Sequence, residues 1–254
     1  MHDTALPHIR TAVRHETECK ICRQPAVLDG LVDFNKSAEE AKGKFLPLSG
    51  IPVYYHKCTA CGLIFTVSFD EWSKDDFLRY IYNDQYHIVD PDYLHDRPAN
   101  NANLVFNFTQ PVPHGQILDY GGGNGKLAQI LSERGRSAHS WDPMENDAAH
   151  RPSSIFDVVT CFEVLEHTPT PIGTFREILS CLNERGVVLF STLAVNLPDR
   201  QSANLWYVAP RNGHVTIYSR KSLDLLAGML GYRMHHFNDL LHLCYREPPA
   251  WLAR

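Results

Sequence analysis

The sequence has no apolar run long enough to cross a membrane, which argues against an integral membrane protein. It also lacks a basic and then apolar start of the kind that directs export, so we expect a cytoplasmic protein. It has no cluster of lysine and arginine, and a formal net charge of −5 disfavours tight binding to the phosphates of nucleic acids. What remains is an ordinary globular composition over 254 residues, enough for one substantial core and a small accessory module.

The cysteines are few but unevenly placed. Four of the seven form two C-x-x-C pairs, namely Cys19 with Cys22 and Cys58 with Cys61. Without an export signal, such pairs favour metal binding over disulfides. Four thiolates complete a tetrahedral Zn²⁺ site with no open position, which is typical of structural zinc. A redox or disulfide pairing of the same cysteines is the alternative. We predict a zinc-binding module over residues 1–65.

Residues 116–125, QILDYGGGNG, predict a strand followed by a glycine turn. Apolar residues recur at helical spacing directly after the turn, so a helix follows it. Gly121, Gly123 and Gly125 alternate through the turn, and glycine allows both positive φ and close approach of a ligand to the backbone. The start of the helix adds free N–H groups. A plain tight turn without a ligand is the alternative.

This turn resembles motif I of class I S-adenosylmethionine (SAM) methyltransferases, because Asp119 stands two residues before the first glycine of G-x-G-x-G. The resemblance implies that the turn passes beneath the amino-acid part of SAM. It also implies that an acid after the next strand holds the ribose. Asp142 ends a predicted strand over residues 137–141 and takes that role, since a carboxylate can accept two hydrogen bonds from a diol.

The later strands and helices resemble the seven-stranded methyltransferase sheet. Predicted strands over residues 156–162 and 186–193 alternate with helices, and a hairpin over 232–245 ends the pattern. We therefore predict an α/β, Rossmann-like fold with a terminal antiparallel hairpin. Only residues 143–155 are available for the helix and third strand that this family places there, so one of the two is reduced. Met144 and Glu145 are the candidates for contact with adenine.

A second group of polar residues follows the strand over 156–162. Glu163, Glu166 and His167 form E-x-x-E-H where that strand ends, and open α/β sheets bind ligands at that edge. The triple resembles that of small-RNA 2′-O-methyltransferases and ubiquinone-pathway O-methyltransferases. In the former it holds a divalent cation together with a later histidine, for which His214 is the counterpart. Glu163 is also a candidate cofactor contact.

Three roles for these four residues stay open. They could bind Mg²⁺ or Mn²⁺ beside an acceptor hydroxyl. His167 or His214 could instead act as a general base without a metal. The third role is structural, with Glu166 and His167 capping the following helix.

Residues 66–115 form a connector rich in tyrosine, histidine and acid. Ser73 predicts the start of a helix there, with Asp76 three residues later. The family resemblance implies that this segment covers the site. We therefore assign Tyr86 to the cofactor and His87 and Tyr93 to the substrate; simple packing is the alternative. Two further candidate substrate contacts lie in the segment that ends at His214, and they are Trp206 and Arg211.

The sequence thus predicts a zinc-binding module (1–65), an aromatic helical connector (66–115) and a SAM-dependent methyltransferase core (116–254). The substrate we expect is a saccharide or another small molecule. We favour O-methylation of a sugar, a nucleotide-linked sugar or another small polar metabolite. Three alternatives remain: an RNA-directed methyltransferase with the zinc module on RNA, a deoxysugar C-methyltransferase, which the four-cysteine module resembles, and a non-catalytic SAM-binding partner subunit.

Overall fold

The computed structural model describes residues 9, 11–145, 151–152 and 154–249. None of the helices within these ranges combines the length and apolar character needed to cross a membrane. The strands are β1 (Glu16–Glu18), β2 (Pro25–Asp33), β3 (Pro52–Cys58), β4 (Ile64–Thr66), β5 (Gln116–Tyr120), β6 (Ser137–Trp141), β7 (Phe156–Phe162), β8 (Leu182–Ser191), β9 (Thr216–Ile217), β10 (Arg233–His236) and β11 (Leu241–Tyr245). The α-helices are α1 (Lys74–Tyr80), α2 (Tyr86–Val89), α3 (Asp96–Phe108), α4 (Lys126–Glu133), α5 (Pro171–Leu179) and α6 (Arg220–Met229).

The first sheet is antiparallel and has the order β1-β2-β3-β4-β9. Four of its strands come from the N-terminal part of the chain, but β9 comes from residues 216–217. Ile217 is fully buried, and it packs in one cluster with Val53, Tyr55 and Ile64 of β3 and β4. The division of the chain at residue 65 stays a prediction. The hydrophobic core beside the first sheet contains residues from before and after this position.

The connector lies against the loop that precedes His214. As predicted, Ser73 begins α1 through a capping box, in which its side chain accepts from the Asp76 backbone N–H at 3.2 Å. Further along, the guanidinium of Arg211 donates to the Ile81 carbonyl at 3.0 Å. The Asn212 side chain donates to the Val89 carbonyl at 2.9 Å. These bonds hold the connector over the second sheet.

The second sheet has the order β10-β11-β8-β7-β5-β6, with β5 to β8 parallel and the terminal hairpin antiparallel. The residues described supply six strands of the seven expected. The strand expected between β6 and β7 falls in 143–155, of which 146–150 and 153 lie outside the described residues. Three parallel strands, β6, β5 and β7, are neighbours. Their carboxyl ends therefore meet at one edge, where open α/β sheets bind ligands.

Candidate active site

The glycine turn after β5 is shaped by close packing on one side and open space on the other. Gly121 has φ 73° and Gly123 has φ 51°. A Cβ on Gly121 would collide with the Val164 side chain, and a Cβ on Gly122 would collide with Ser140. A Cβ on Gly123 would meet no protein atom within 4 Å. The turn therefore exposes its backbone at Gly123, where a ligand can approach it.

Two acids flank this turn. Asp142 accepts from the Gly123 backbone N–H at 2.8 Å through Oδ2 and from the Met144 N–H at 2.7 Å through Oδ1. Asp119 lies beneath the turn and accepts from the Thr160 hydroxyl at 2.8 Å. Burial is the main cause that raises the pKa of Asp119 to about 7; the bond from Thr160 opposes the rise, and the charge of Asp142 adds to it. Asp142 is thus fixed where it can meet a polar ligand.

A cavity of about 320 Å³ lies between the turn and the connector, within the size range of small-molecule sites. Most of the predicted cofactor contacts line it, as do Tyr93 and His167. The predicted cofactor contacts on its wall are Asp119, Gly121, Gly123, Asp142, Met144, Glu145, Glu163 and Tyr86. Apart from the four cysteines, the predicted site residues that are not on its wall, among those described, are Gly125, which caps α4, and His87, Glu166, Trp206, Arg211 and His214.

An ion pair that the sequence did not predict lies on the cavity wall. The guanidinium of Arg97 donates to both carboxylate oxygens of Asp90, at 2.8 and 2.6 Å. A bidentate pair of this kind holds both side chains in a fixed geometry. No helical or strand spacing relates the two residues, because Asp90 follows α2 and Arg97 lies in α3. The sequence indicated only that residues 66–115, which are rich in acids, cover the site.

A row of tyrosines forms the connector side of the same wall. The Tyr82 and Tyr86 rings meet edge to face at 5.2 Å between centroids, and Tyr86 meets Tyr93 in the same way at 5.2 Å. Tyr82 was not predicted as a site residue. Aromatic rings bury a large apolar surface, so this row gives the cavity an apolar wall on the connector side.

Glu163 has an unusual backbone where β7 ends. Its φ is 53°, a left-handed conformation that costs a non-glycine residue about 1–2 kcal/mol. The Ser191 hydroxyl supports this turn, since it accepts from the Glu163 N–H at 3.1 Å and donates to the carboxylate at 2.7 Å. Strained residues held in this way often lie at functional sites. The turn places Glu163 on the cavity wall.

Next to this wall the structure gathers Glu166, His167 and His214, whose potential ligand atoms all lie within 4.8 Å of one another; of the three, His167 lines the cavity. Glu163, the fourth residue predicted for this group, is not among them. Glu166 is 0% exposed; its Oε1 accepts from the Tyr207 hydroxyl at 2.5 Å, and its Oε2 has no hydrogen-bond partner. His167 Nδ1 is also without a partner. His214 Nδ1 donates to the Tyr207 carbonyl at 2.8 Å.

Burial governs the charge state of these three residues. It raises the pKa of Glu166 well above its usual range, and the charge of Glu163 adds to the rise. It lowers the pKa of His167 well below its usual range, with a further contribution from His214. Burial likewise lowers the pKa of His214, against the opposing bond to Tyr207. At neutral pH the two imidazoles are therefore uncharged, and an uncharged imidazole nitrogen can bind a metal cation.

The four paired cysteines meet at one end of the first sheet. The sulfur atoms of Cys19 and Cys61 are 3.6 Å apart, and those of Cys22 and Cys58 are 3.4 Å apart. These distances are far longer than a disulfide bond of about 2.05 Å. They are close to the separation of about 3.8 Å that thiolates adopt around zinc at about 2.3 Å each. The chemistry and spacing of the group fit a tetrahedral metal ion.

Parallel strands that end in a glycine turn and two acids, with an antiparallel hairpin at the far side of the sheet, define the class of Rossmann-like methyltransferase folds. Residues 93–236 match a family described as a methyltransferase domain, which is more than half of the chain. The chain belongs to this family.

Curated relatives include the ubiquinone biosynthesis O-methyltransferase of Vibrio campbellii, 29% identical over 128 residues, which are 41% of this chain and 54% of that protein. The corresponding protein of Albidiferax ferrireducens is 33% identical over 127 residues, with coverages of 38% and 50%. The chain thus spans about half the length of the curated relatives it matches.

Solved structures with a similar arrangement include the 1,6-didemethyltoxoflavin-N1-methyltransferase of Burkholderia thailandensis, with a TM-score of 0.47 and 14% identity, covering 76% of this chain and 93% of that one. A second is the magnesium protoporphyrin IX methyltransferase of Synechocystis, with a TM-score of 0.44 and 15% identity, covering 70% and 97%.

Proposed function

We propose that the protein transfers the methyl group of SAM to an oxygen atom of a small polar molecule. The observation that carries this proposal is the single cavity whose wall contains both the glycine turn with Asp142 and the imidazole of His167. A cofactor held by the turn and an acceptor beside His167 would then share one enclosed space. Alignment of two reactants in such a space is a large part of the rate enhancement that a methyl transfer needs.

The residues on the wall fit SAM. Gly123 leaves room against the backbone, and the fixed carboxylate of Asp142 can accept hydrogen bonds from a ribose diol. Met144 lies next to Asp142, where an adenine edge would follow the ribose. SAM supplies the electrophilic methyl group when it is bound, and its sulfonium is a cation that the acidic wall would attract. The tyrosine row gives the site an apolar wall on the connector side.

The acceptor end is assigned to His167. A hydroxyl is a poor nucleophile at neutral pH, so its proton must be removed as the methyl group is transferred. An uncharged imidazole on the wall can take that proton. A divalent cation is the second candidate at this place, and the unpartnered Glu166 Oε2 and His167 Nδ1 favour it. Mg²⁺ or Mn²⁺ would be held by Glu166, His167 and His214 and would lower the pKa of a bound hydroxyl.

The charge of the wall narrows the acceptor class. Arg97 is the one lysine or arginine side chain among the described lining residues, and Asp90 already neutralises it. The phosphates of a nucleotide-linked sugar or of RNA would face mostly carboxylates and gain no free cation. We therefore favour a sugar or another polar metabolite that carries no phosphate. The acids on the wall are Asp90, Asp119, Asp142, Glu145 and Glu163.

We further propose that the four cysteines hold one structural zinc ion and that residues 1–65, 66–115 and 116–254 act as module, lid and core. A closed set of four thiolates leaves no position for a substrate, so this ion would serve stability rather than methyl transfer.

The test is incubation of the protein with methyl-labelled SAM and a cell extract, followed by separation of the label by size. Label in the small-molecule fraction supports the proposal, whereas label that moves with RNA and is released by ribonuclease contradicts it. His167→Gln should abolish the transfer, while His235→Gln, which alters an exposed histidine of β10, should not. Loss of transfer on chelation, with recovery on adding Mg²⁺ or Mn²⁺, would assign the acceptor end to a cation.

A further inference from the structure

Residues 214–217 are held from two sides, and they link the first sheet to the loop that contains Glu166. On one side, β9 pairs with β4 of the first sheet. On the other side, the Val215 N–H donates to the Glu166 carbonyl at 2.9 Å. The Thr216 hydroxyl donates to the Thr168 carbonyl at 2.7 Å. The cysteine-bearing sheet is therefore joined by hydrogen bonds to the residues on both sides of His167.

Tyr55 forms a further connection between the first sheet and this group. It lies on β3, is fully buried, and its hydroxyl donates to the His214 carbonyl at 2.7 Å. His214 then donates from Nδ1 to the Tyr207 carbonyl, and the Tyr207 hydroxyl donates to Glu166. The Val215 N–H returns to the Glu166 carbonyl, so these bonds form a closed buried ring.

His167 packs against this ring of bonds and connects it to the cavity. The imidazoles of His167 and His214 meet edge to face, with 4.9 Å between their centroids. The backbone beside His214 leaves little free space, because a Cβ on Gly213 would lie 2.9 Å from the Tyr82 hydroxyl and 3.1 Å from His167 Nδ1. A small displacement of residues 213–214 would therefore displace the His167 ring, since packed interiors transmit such shifts.

We infer that Tyr55 is a positioning residue for His214 and, through it, for His167. Tyr55 does not line the cavity and cannot touch a reactant there. Its hydroxyl fixes the backbone of His214, and the fixed backbone holds the His214 ring against which the His167 ring packs. The first sheet is then a part of the active site, in addition to carrying the cysteine cluster. The kinetic readout of this inference rests on the proposed function, and the spectroscopic readout does not.

The test compares Tyr55→Phe with Tyr54→Phe. Both remove one hydroxyl from neighbouring residues of β3, but adjacent side chains of a strand point to opposite faces, and Tyr54 is only half-buried. We expect Tyr55→Phe to lower kcat about tenfold, because a displaced His167 is less well aligned with the acceptor, and to leave the KM for SAM unchanged. It should also shift the Cε1–H resonances of His167 and His214 in the NMR spectrum with S-adenosylhomocysteine added. Tyr54→Phe should match the wild type in all three measurements.

A Tyr55→Phe protein with wild-type kcat and wild-type histidine resonances would overturn the inference, even if its melting temperature were lower. Thr216→Val removes the hydroxyl that donates to the Thr168 carbonyl, next to His167, and it should also shift the His167 resonance. If the wild-type protein methylates no acceptor, the proposed function fails, but the resonances still decide the role of Tyr55. His167→Gln and His214→Gln assign the two signals by their loss.

Discussion

Replacement of Gly123 by alanine tests whether this glycine is needed for ligand binding or only for the shape of the turn. Its φ of 51° costs alanine about 1–2 kcal/mol in a left-handed conformation. No protein atom lies within 4 Å of the added methyl group, so the fold has room for it. That room belongs to the cavity. A methyl group in a closely fitted ligand site typically costs about 1–3 kcal/mol, which is roughly five- to 150-fold in Kd.

Gly135→Ala is the matched control for this change. Gly135 has φ 80°, follows α4, and would also place its Cβ in open space, but it lies outside the cavity. Both variants should therefore lose a similar few degrees in melting temperature from backbone strain. Isothermal titration with SAM and with S-adenosylhomocysteine should show weaker binding for Gly123→Ala alone. Wild-type affinity in Gly123→Ala would refute the placement of the cofactor on this turn.

Three further outcomes are expected from the same structure. Asp142→Asn should weaken SAM binding about tenfold or more in titration calorimetry, because an amide N–H would face the backbone N–H of Gly123 or Met144. In urea titrations, the free energy of unfolding of the wild type should fall as the pH rises from 4 to 7. The fall should exceed that of Asp119→Asn by up to about 4 kcal/mol. The sign follows because the raised pKa of about 7 makes folded Asp119 bind its proton more tightly than unfolded Asp119 with its value near 3.8; equal slopes for both proteins would contradict it. Metal analysis should find about one zinc per chain and markedly less in Cys58→Ser, and a wild-type protein free of zinc would exclude the proposed structural site.

The parts of the fold that depend on local pattern were predicted from the sequence. The strand, glycine turn and helix around residue 121 follow from short-range spacing, and the structure has β5, the turn and α4 in that order. The helix start at Ser73 was also confirmed, since its side chain accepts from the Asp76 N–H at 3.2 Å. These features depend on contacts between residues only a few positions apart, so the sequence pattern carries nearly all the information.

Features that join distant parts of the chain were not predicted. β9 has two residues, too few for any periodicity, and only its pairing with β4 makes it a strand. The bond from Tyr55 to His214 spans 159 positions. Neither the pair of Asp90 and Arg97 nor the position of Tyr82 follows from helix or strand spacing. In each case the tertiary contact defines the feature, and a single sequence does not record that contact.

The spacing of E-x-x-E-H shows the same limit within five residues. The sequence suggested that Glu163 and Glu166 act together, since both follow one strand. However, Glu163 turns through a positive φ and is bonded to Ser191 on the cavity wall, while Glu166 lies in a short 3-10 helix over Leu165–His167 and is fully buried. The turn comes before the helix, so helical spacing does not apply to the pair, yet the charge of Glu163 still acts on Glu166 and raises its pKa further. The two carboxylates therefore stay close enough to interact at the end of one strand, with Glu163 on the cavity wall and Glu166 behind it.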